Sequence, residues 1–361
     1  MSFLSGRRKN MVFSKVTVKD YLAACAKRLR YLFVKICSPS HVILVGLSSL
    51  ILVAVLHSVY DVPLRYKLCP SSYWAESLDT GFEGFDNESG IVNGPYIVPN
   101  YVHFLRYSTN LVNVSFMDAV CILAAYKNQK PDKIFFHTNL PKFGGKYWDI
   151  LMNVPGFKEI IEFQYIEPLE SVYGQALSSW YKLWHSSDLL RIDILRRYGG
   201  IFIDNDVYLV KSMNEFRRFE MTLEIVDEKS FGTMTLVAHR DARFLRLWLE
   251  CYKEYYGHLW YYNAGEKPKL EVLDARPELV HNAHDLLGVR DLRPELYIRQ
   301  WKEWKSQYTI HTLVRHLHDI DSLLHNSLNL KYPVTFDEKN IRHYNVTILD
   351  MVLDCCTELM N

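Results

Sequence analysis

Two aspartates one residue apart, Asp204 and Asp206, follow a short apolar segment in the stretch "GGIFIDNDVYLV". Because side chains alternate between the two faces of an extended segment, we expect both carboxylates to point the same way. Two like charges held in a partly buried cleft repel unless a cation lies between them. Carboxylate oxygens suit a hard divalent ion such as Mg²⁺ or Mn²⁺. The pair therefore predicts a metal site of the kind that neutralises a diphosphate leaving group.

The residues before this pair predict a helix and a returning strand. Apolar side chains recur at helical spacing over residues 187–198, and either Ser186 or Ser187 suits the N-cap. Gly199 is placed to end the helix in the left-handed conformation. A short apolar strand, residues 200–204, then begins at once.

Helix and strand run in opposite directions, so the start of the helix and the end of the strand are expected at one end of the sheet. Asp188 and Arg191 are three residues apart and therefore share a helix face. The pattern thus predicts that both lie near Asp204 and Asp206. That end of an α/β sheet, beyond the carboxyl ends of its strands, is where ligands bind.

Short strand and helix patterns alternate through the rest of the body. Strand-like segments are "YVHFLRY", "DKIFFHTN" and "FKEIIEFQYI", and "SFMDAVCILAAYKN" has helical spacing. This alternation predicts an α/β fold with a mostly parallel mixed sheet and flanking helices, in a single domain over residues 96–361. The Trp- and Tyr-rich segment 248–262 fits either the core or the lining of a groove.

The N-terminal part differs in composition from this body. Residues 1–40 carry a net charge of +8 and predict a cytoplasmic tail, while the total of +1 argues against a nucleic-acid-binding protein. Residues 41–60 contain no Asp, Glu, Lys or Arg, and a helix of that length spans about 30 Å. They predict a transmembrane signal-anchor with the body on the far side of the membrane. Residues 61–95, rich in Gly, Ser, Asp and Asn, predict a stem.

Three sequons after the anchor agree with a lumenal body, at Asn87, Asn113 and Asn345. Five cysteines also follow the anchor. Because five is an odd number, at least one of them is expected to be free or to pair with another chain. The sequence leaves both the disulfide pairing and the oligomeric state open.

The stretch "SDLLRIDILRRYGGIFIDNDV" closely resembles the sugar-nucleotide-binding region of DXD-type glycosyltransferases. The most similar group contains Golgi α1,4-galactosyltransferases, α1,4-N-acetylglucosaminyltransferases and fungal initiating mannosyltransferases. The resemblance is strongest over residues 185–210 and extends more loosely from about residue 98 to 311, including "VHF", "KPDKIFFHTN" and "YTIHTLVRH".

This resemblance implies a GT-A fold, a UDP-sugar donor, Mn²⁺ and a retaining transfer to a glycan or glycolipid. It assigns Asp204 and Asp206 to the metal and diphosphate, and Asp188 and Arg191 to the hydroxyl groups of the donor sugar. His311 matches a further metal ligand. Galactose and N-acetylglucosamine are the sugars that the family favours, and a type II protein of the Golgi membrane is its usual topology.

One departure from the family pattern concerns recognition of the uracil base. Many relatives carry a tryptophan just after the "VH" of the first strand, but here the sequence is "VHFLRY". Phe104 or Tyr107 is the available substitute. The alternative to an enzyme is therefore a catalytically silent relative that acts as a lumenal binding or scaffold protein.

Overall fold

The computed structural model of the chain describes residues 67–68, 81–108, 112–319 and 335–360. The predicted cytoplasmic tail, 1–40, and the predicted signal-anchor, 41–60, lie outside these ranges. Within the described ranges, no helix combines the length and the apolar character needed to cross a membrane.

The strands are short and distributed along the whole body. They are β1 (Lys67–Leu68), β2 (Tyr101–Arg106), β3 (Val112–Asn113), β4 (Lys133–Thr138), β5 (Phe143–Gly144), β6 (Ile161–Tyr165), β7 (Ser171–Val172), β8 (Gln175–Ala176), β9 (Gly200–Ile203), β10 (Val207–Leu209), β11 (Met221–Ile225), β12 (Phe231–Ala238), β13 (His281–Asn282) and β14 (Thr309–His311).

The helices alternate with these strands. The α-helices are α1 (Phe116–Gln129), α2 (Lys146–Met152), α3 (Phe157–Ile160), α4 (Lys182–Tyr198), α5 (Arg243–Glu250), α6 (Arg293–Tyr297) and α7 (Thr347–Cys355). Shorter 3₁₀ segments are Asn214–Arg218, Cys251–Lys253, Pro277–Leu279, Lys302–Ser306, Val314–Asp319, Asn340–His343 and Thr357–Met360, and π-helical turns are Tyr262–Glu266 and Lys269–Leu273.

Eight strands form the central sheet in the order β1-β6-β4-β2-β9-β12-β11-β13. The first five run parallel to one another, whereas β12 is antiparallel to both β9 and β11. The predicted α/β architecture with a mostly parallel, mixed sheet is therefore confirmed.

Strand β9 shows how the sheet is held from both sides. All four of its residues are buried. Ile201 and Ile203 belong to the hydrophobic cluster that includes α1, and Phe202 belongs to the cluster that includes α4 and α5. This alternation follows from the two-residue period of a strand, and it places apolar cores on both faces of the sheet.

The junction of α4 and β9 confirms the predicted end of the helix but not its start. Gly199 and Gly200 have φ values of 62° and 115°, and a Cβ atom on Gly200 would lie 2.8 Å from the carbonyl oxygen of Tyr101. Glycine is therefore required at this turn. The helix begins at Lys182 rather than at Ser187. Ser186 is buried, and its hydroxyl accepts a hydrogen bond from the backbone N–H of Leu169 at 2.7 Å instead of capping the helix.

The segment "FKEIIEFQYI" was expected to be a strand throughout, but its two halves differ. Residues Phe157–Ile160 form α3, and only Ile161–Tyr165 form β6. Gly156 precedes α3 with a φ of 78°, a left-handed conformation that favours glycine.

The structure moves the predicted boundary between stem and domain. Strand β1, inside the predicted stem, pairs with β6. Residues 81–95 also pack on the domain, where the backbone N–H of Ile91 donates to the carbonyl oxygen of Arg218 at 3.0 Å. The folded domain therefore includes residues before Tyr96, because these hydrogen bonds are made to its main sheet and to the segment before β11.

The same packing removes one predicted glycosylation site. Asn87 is 1% exposed, and its side-chain amide donates to Glu220 Oε2 at 3.1 Å and to the carbonyl oxygen of Glu278 at 3.0 Å. A glycan on this nitrogen would break both hydrogen bonds, so Asn87 is not a glycosylation site of this fold. Asn113 and Asn345 are exposed and keep their predicted role.

The cysteines of the described ranges are all unpaired. Cys121, Cys251, Cys355 and Cys356 are buried free thiols, and Cys69 lies outside those ranges. The expectation of at least one free cysteine after the anchor is therefore confirmed.

A pair of buried histidines links β2, β4 and the double-glycine turn. His103 Nε2 donates to the carbonyl oxygen of Gly199 at 2.8 Å, and its Nδ1 lies 3.0 Å from His137 Nε2. Burial lowers the pKa of His103 to about 4, and burial together with the neighbouring His103 lowers the pKa of His137 well below its usual value. Both rings are therefore neutral in the folded protein at neutral pH.

We expect acid to destabilise the fold through this pair. The pKa of His103 is lower in the folded state than the ordinary value near 6.5, so its contribution is fully present above about pH 6.5 and is lost as the pH falls toward 4. Over that window, protonation of a histidine of this kind lowers the free energy of unfolding by about 1.4 kcal/mol for each unit by which the pH falls. Urea unfolding at several pH values measures this slope.

The variant His103→Gln should have a shallower slope, whereas His258→Gln, at an exposed position, should keep the slope of the wild type. An unchanged slope in His103→Gln would show that His103 is not held neutral by the fold.

Candidate active site

The two aspartates lie in a turn between β9 and β10, not in an extended segment as predicted. The backbone N–H of Val207 donates to the carbonyl oxygen of Asp204 at 3.1 Å, which closes the turn. Two neighbouring strands fix the position of this turn. The side-chain amide of Asn205 donates to the carbonyl oxygen of Leu105 at 2.7 Å, and the backbone N–H of Asp204 donates to the carbonyl oxygen of Met234 at 2.9 Å. The turn is therefore held between the end of β2 and β12.

Strand pairing brings a histidine to the second aspartate. Strands β10 and β14 are antiparallel and place Val207 opposite His311. The N–H and the hydroxyl of Thr312 both donate to the carbonyl oxygen of Asp206, at 2.9 and 2.8 Å. As a result, His311 Nε2 lies 3.2 Å from Asp206 Oδ1.

Arg191 of α4 connects the helix to the turn. Its guanidinium lies 3.1 Å from Asp188 Oδ1 and 3.5 Å from Asp204 Oδ1, and it donates to the carbonyl oxygen of Thr233 at 2.5 Å. It also lies over the ring of Phe202, 5.1 Å from the ring centroid. Only 6% of this side chain is exposed, so both carboxylates are anchored to one buried cation.

These side chains line a single cavity of about 890 Å³. The structure thus brings together all five residues that the sequence assigned to the donor site, although their chemical roles stay predictions. Other lining residues were not predicted, and they include Trp184, Thr233, Arg293, Arg315 and His316. Arg315 and His316 follow His311 within "YTIHTLVRH", so their place in that segment was a usable signal, whereas Arg293 had none.

Burial and pairing set opposite protonation tendencies for the three carboxyl groups. Burial raises the pKa of Asp188 to about 6, and the nearby Arg191 offsets only part of that effect. Burial also raises the pKa of Asp204 against the effect of Arg191. Burial acts in the same direction on Asp206, but its hydrogen bond to His311 outweighs it and lowers the pKa. The turn therefore keeps Asp206 as the most acidic of the three.

Two of the predicted ligands, Asp206 and His311, are spaced as a divalent cation would hold them. Two ligand atoms at adjacent octahedral positions, each about 2.1 Å from an ion, lie about 3.0 Å apart. The separation of 3.2 Å between Asp206 Oδ1 and His311 Nε2 matches such an edge. An imidazole beside carboxylates suits Mn²⁺ better than Mg²⁺, which takes mainly oxygen ligands. Within the described residues no three such side chains converge as a ready metal site, and Asp204 is held by Arg191 instead.

The structure also bears on the two residues proposed to replace the missing tryptophan. Phe104 is 1% exposed and stacks on Phe136 in the core, with ring centroids 5.5 Å apart. It cannot reach a base in the cavity, so this half of the expectation is wrong. Tyr107 is only partly buried, at the end of β2 near the cavity-lining Leu105, and stays the candidate.

The aromatic segment 248–262 divides between the two roles proposed for it. Trp248 and Tyr252 are buried in the core beside α4. Trp260, in contrast, is 47% exposed and lines the cavity. The sequence could not separate these roles because both need aromatic side chains.

The site is a carboxylate turn beyond a central strand of an α/β sheet, and part of the chain is similar to known proteins. Residues 121–223 match the family model described as glycosyltransferase sugar-binding region containing DXD motif. This region contains Asp188, Arg191, Asp204 and Asp206. Over these residues the chain is similar to that glycosyltransferase family, which confirms the resemblance seen in the sequence.

Two curated relatives carry the similarity beyond this region. Glucan organizing enzyme 1 of Cryptococcus neoformans is 24% identical over 190 residues, which are 48% of this chain and 49% of that protein. Lactosylceramide 4-alpha-galactosyltransferase of Mus musculus is 28% identical over 149 residues, which are 39% of this chain and 40% of that protein. The chain thus spans half or less of these relatives.

Solved structures with a related arrangement include mouse xyloside xylosyltransferase 1 and the galactosyltransferase LgtC in complex with donor and acceptor sugar analogs. The first has a TM-score of 0.39 and 9% identity, covering 59% of this chain and 97% of that structure. The second has a TM-score of 0.37 and 12% identity, covering 67% and 99%. Similarity at this level does not assign a function.

Replacing Arg191 should destabilise the protein strongly. Arg191→Ala leaves the buried Asp188 and the partly buried Asp204 without their shared cation, which costs about 3 to 5 kcal/mol. Urea unfolding measures the loss. The matched control is Arg315→Ala, because Arg315 also pairs with an aspartate, Asp118, but is 62% exposed. It should cost less than about 1 kcal/mol. Equal losses in both variants would contradict the structural role of Arg191.

Proposed function

We propose that this protein is a metal-dependent glycosyltransferase of GT-A type that moves a sugar from a UDP-sugar to a glycan or glycolipid, with retention of configuration. The observation that carries the proposal is the cavity in which Asp188, Arg191, Asp204, Asp206 and His311 meet. Three of its carboxylates are paired with cations, and all but His311 lie in the region that matches the glycosyltransferase family.

Asp206 and His311 are the proposed holders of Mn²⁺, and Asp204 would become the third ligand by giving up its 3.5 Å contact with Arg191. The hydrogen bond from His311 keeps Asp206 ionised, and His311 would lose its Nε2 proton when that nitrogen binds the ion. When bound, the metal would neutralise charge on the diphosphate as the bond to the sugar breaks.

Asp188 and Arg191 are the proposed contacts of the donor sugar. In its ionised form, Asp188 would accept hydrogen bonds from hydroxyl groups of the sugar. The Arg191 guanidinium, 3.1 Å from Asp188 Oδ1, orients this carboxylate. Because Arg191 is also fixed to Thr233 and Phe202, the pair offers a rigid surface to the sugar.

Basic side chains on another wall of the cavity support an anionic donor. Arg315 is 62% exposed there, and Arg293 lines the same cavity. Guanidinium groups bind phosphate oxygens with two parallel hydrogen bonds, so these residues are proposed to contact the diphosphate.

Galactose and N-acetylglucosamine are the proposed donor sugars. The printed name of the murine relative, a lactosylceramide 4-alpha-galactosyltransferase, supports galactose and a glycolipid acceptor. The name of the fungal relative refers to glucan, which supports a glycan acceptor instead. Neither relative is covered far enough to select between them.

We also propose that the body lies in the Golgi lumen, held by a single type II anchor at residues 41–60. The basic residues before that segment support this orientation. The exposed sequons at Asn113 and Asn345 agree with a lumenal body.

Donor turnover should depend on the metal and on Asp206. The full chain, with UDP-galactose or UDP-N-acetylglucosamine and Mn²⁺, should release UDP, and a chelator should abolish the release. Asp206→Asn removes one negative ligand beside His311 and should lower UDP release at least about a hundredfold. UDP release, measured over a panel of UDP-sugars, also identifies the donor.

The matched control is Asp350→Asn, an exposed aspartate on α7, which should retain full turnover. Mn²⁺-dependent UDP binding without turnover of any donor, even with acceptor glycosides present, would favour the silent relative. A chelator-insensitive reaction would contradict the metal site.

Acid should weaken donor binding through Asp188. Burial raises the pKa of this carboxyl to about 6, so its ionised form is lost as the pH falls from 7 to 5. The KM of the UDP-sugar for the wild type should rise by about tenfold over that range. Asp188→Asn has a high KM at every pH, because its amide never gains the charge.

The informative quantity is the ratio of the two KM values, variant over wild type, at saturating Mn²⁺. Other titrating groups affect both proteins and cancel in this ratio. It should fall as the pH is lowered, and a ratio that is constant between pH 7 and 5 would rule out an ionised Asp188 in donor binding.

A further inference from the structure

Two indole rings stand at the side of the cavity nearest the start of α4. Trp184 and Trp260 are 54% and 47% exposed, and both line the cavity. Their ring centroids are 5.3 Å apart at an angle of 69°. Large aromatic side chains usually bury most of their surface, so an exposed pair that borders a polar cavity points to a ligand.

A partly buried polar network supports the backbone of this pair. His185 Nε2 donates to the carbonyl oxygen of Trp260 at 3.1 Å, and its Nδ1 accepts from the hydroxyl of Tyr255 at 2.5 Å. That hydroxyl accepts in turn from the backbone N–H of Ser178 at 2.9 Å. Each donor has an acceptor, so the backbone that carries both indoles is held in one position. Their exposure is therefore built into the fold.

Helix α4 orders the chemistry of the cavity along one face. Trp184, Asp188 and Arg191 are separated by four and three residues, so they follow one another on the same side of the helix. At 1.5 Å per residue, Trp184 lies about 6 Å from Asp188 along the axis. Arg191, the last of these three residues, contacts Asp204 of the carboxylate turn. The indoles are therefore about one sugar ring away from the proposed donor sugar.

We propose that Trp184 and Trp260 form the acceptor subsite, where an indole face stacks on the C–H face of a pyranose ring. This inference rests on the proposed glycosyltransferase function. The electron-rich face of an indole attracts the positively polarised C–H bonds of a sugar, while the hydroxyl groups at the rim of the sugar ring need polar partners. Ser187 lines the cavity next to Trp184 and supplies such a partner.

A membrane surface is the competing occupant of this region. Trp180 and Leu183 are also exposed, by 84% and 54%, but neither lines the cavity. Acyl chains would use all four apolar side chains alike. A sugar in the cavity would use only the two that border Asp188, and this border favours the sugar.

The test compares Trp184→Ala and Trp260→Ala with Trp180→Ala, a matched loss of an exposed indole outside the cavity. The full chain in detergent is assayed with the UDP-sugar that it hydrolyses and with methyl β-lactoside, methyl β-N-acetylglucosaminide and methyl α-mannoside. Each cavity variant should raise the KM of the accepted glycoside by about tenfold. UDP release without glycoside should stay within about twofold of the wild type in all three variants.

Binding is measured separately by saturation-transfer difference NMR with the same glycosides, in the presence and absence of UDP and Mn²⁺. The wild type should show transfer to the C–H protons of one sugar face, and Trp184→Ala should lose it. Trp184→Tyr keeps an aromatic face and should restore part of the signal, which separates stacking from a folding defect.

Several results would overturn the inference. One such result is that none of the glycosides binds the wild type. Another is that Trp180→Ala weakens glycoside binding as much as the cavity variants do, as a membrane contact requires. A parallel loss of acceptor-free UDP release would place the indoles in the donor site instead. Glycoside binding that depends on Trp184 but comes with no UDP-sugar turnover would support the sugar subsite and count against the transferase.

Discussion

The site depends on one buried cation. Arg191 is 6% exposed and lies between Asp188 of its own helix and Asp204 of the carboxylate turn. A charge placed there is stable only if its hydrogen bonds are satisfied, and the carbonyl oxygen of Thr233 and the ring of Phe202 complete its surroundings. A single guanidinium therefore fixes α4, the carboxylate turn, β9 and β12 relative to one another. It also fixes the positions of Asp188 and Asp204.

This constraint also decides the charge of the cavity. Asp188, Asp204 and Asp206 face Arg191 and His311, so two cations partly balance three acids. The charge of His311 can change, because an imidazole gains or loses a proton near neutral pH. The charge of Arg191 cannot, because a guanidinium stays protonated at all accessible pH values. Under the proposed function, a divalent ion would replace that proton on His311, and the ion together with Arg191 would then balance the three acids, so that Arg293 and Arg315 supply the positive charge that a diphosphate requires.

Local patterns in the sequence predicted those elements whose signals are local. Strand Lys133–Thr138 is a short apolar run, and Gly199 ends α4 as expected. The start of α4 was missed because its cap, Tyr181, makes no side-chain hydrogen bond, whereas Ser186 has the residue type of a cap but binds a loop. His311 reaches Asp206 through pairing of β10 with β14, a contact 105 residues apart that only a family resemblance could indicate.

The direction of α4 has a consequence for the order in which substrates bind. Trp184 lies toward the start of the helix and is half exposed, whereas Arg191 lies two turns further and is buried against the carboxylate turn. If the indoles receive the acceptor and the inner end receives the donor sugar, a bound acceptor stands between the donor subsite and solvent on that side. A donor that enters from that side must then bind before the acceptor, which stacks on the exposed indoles.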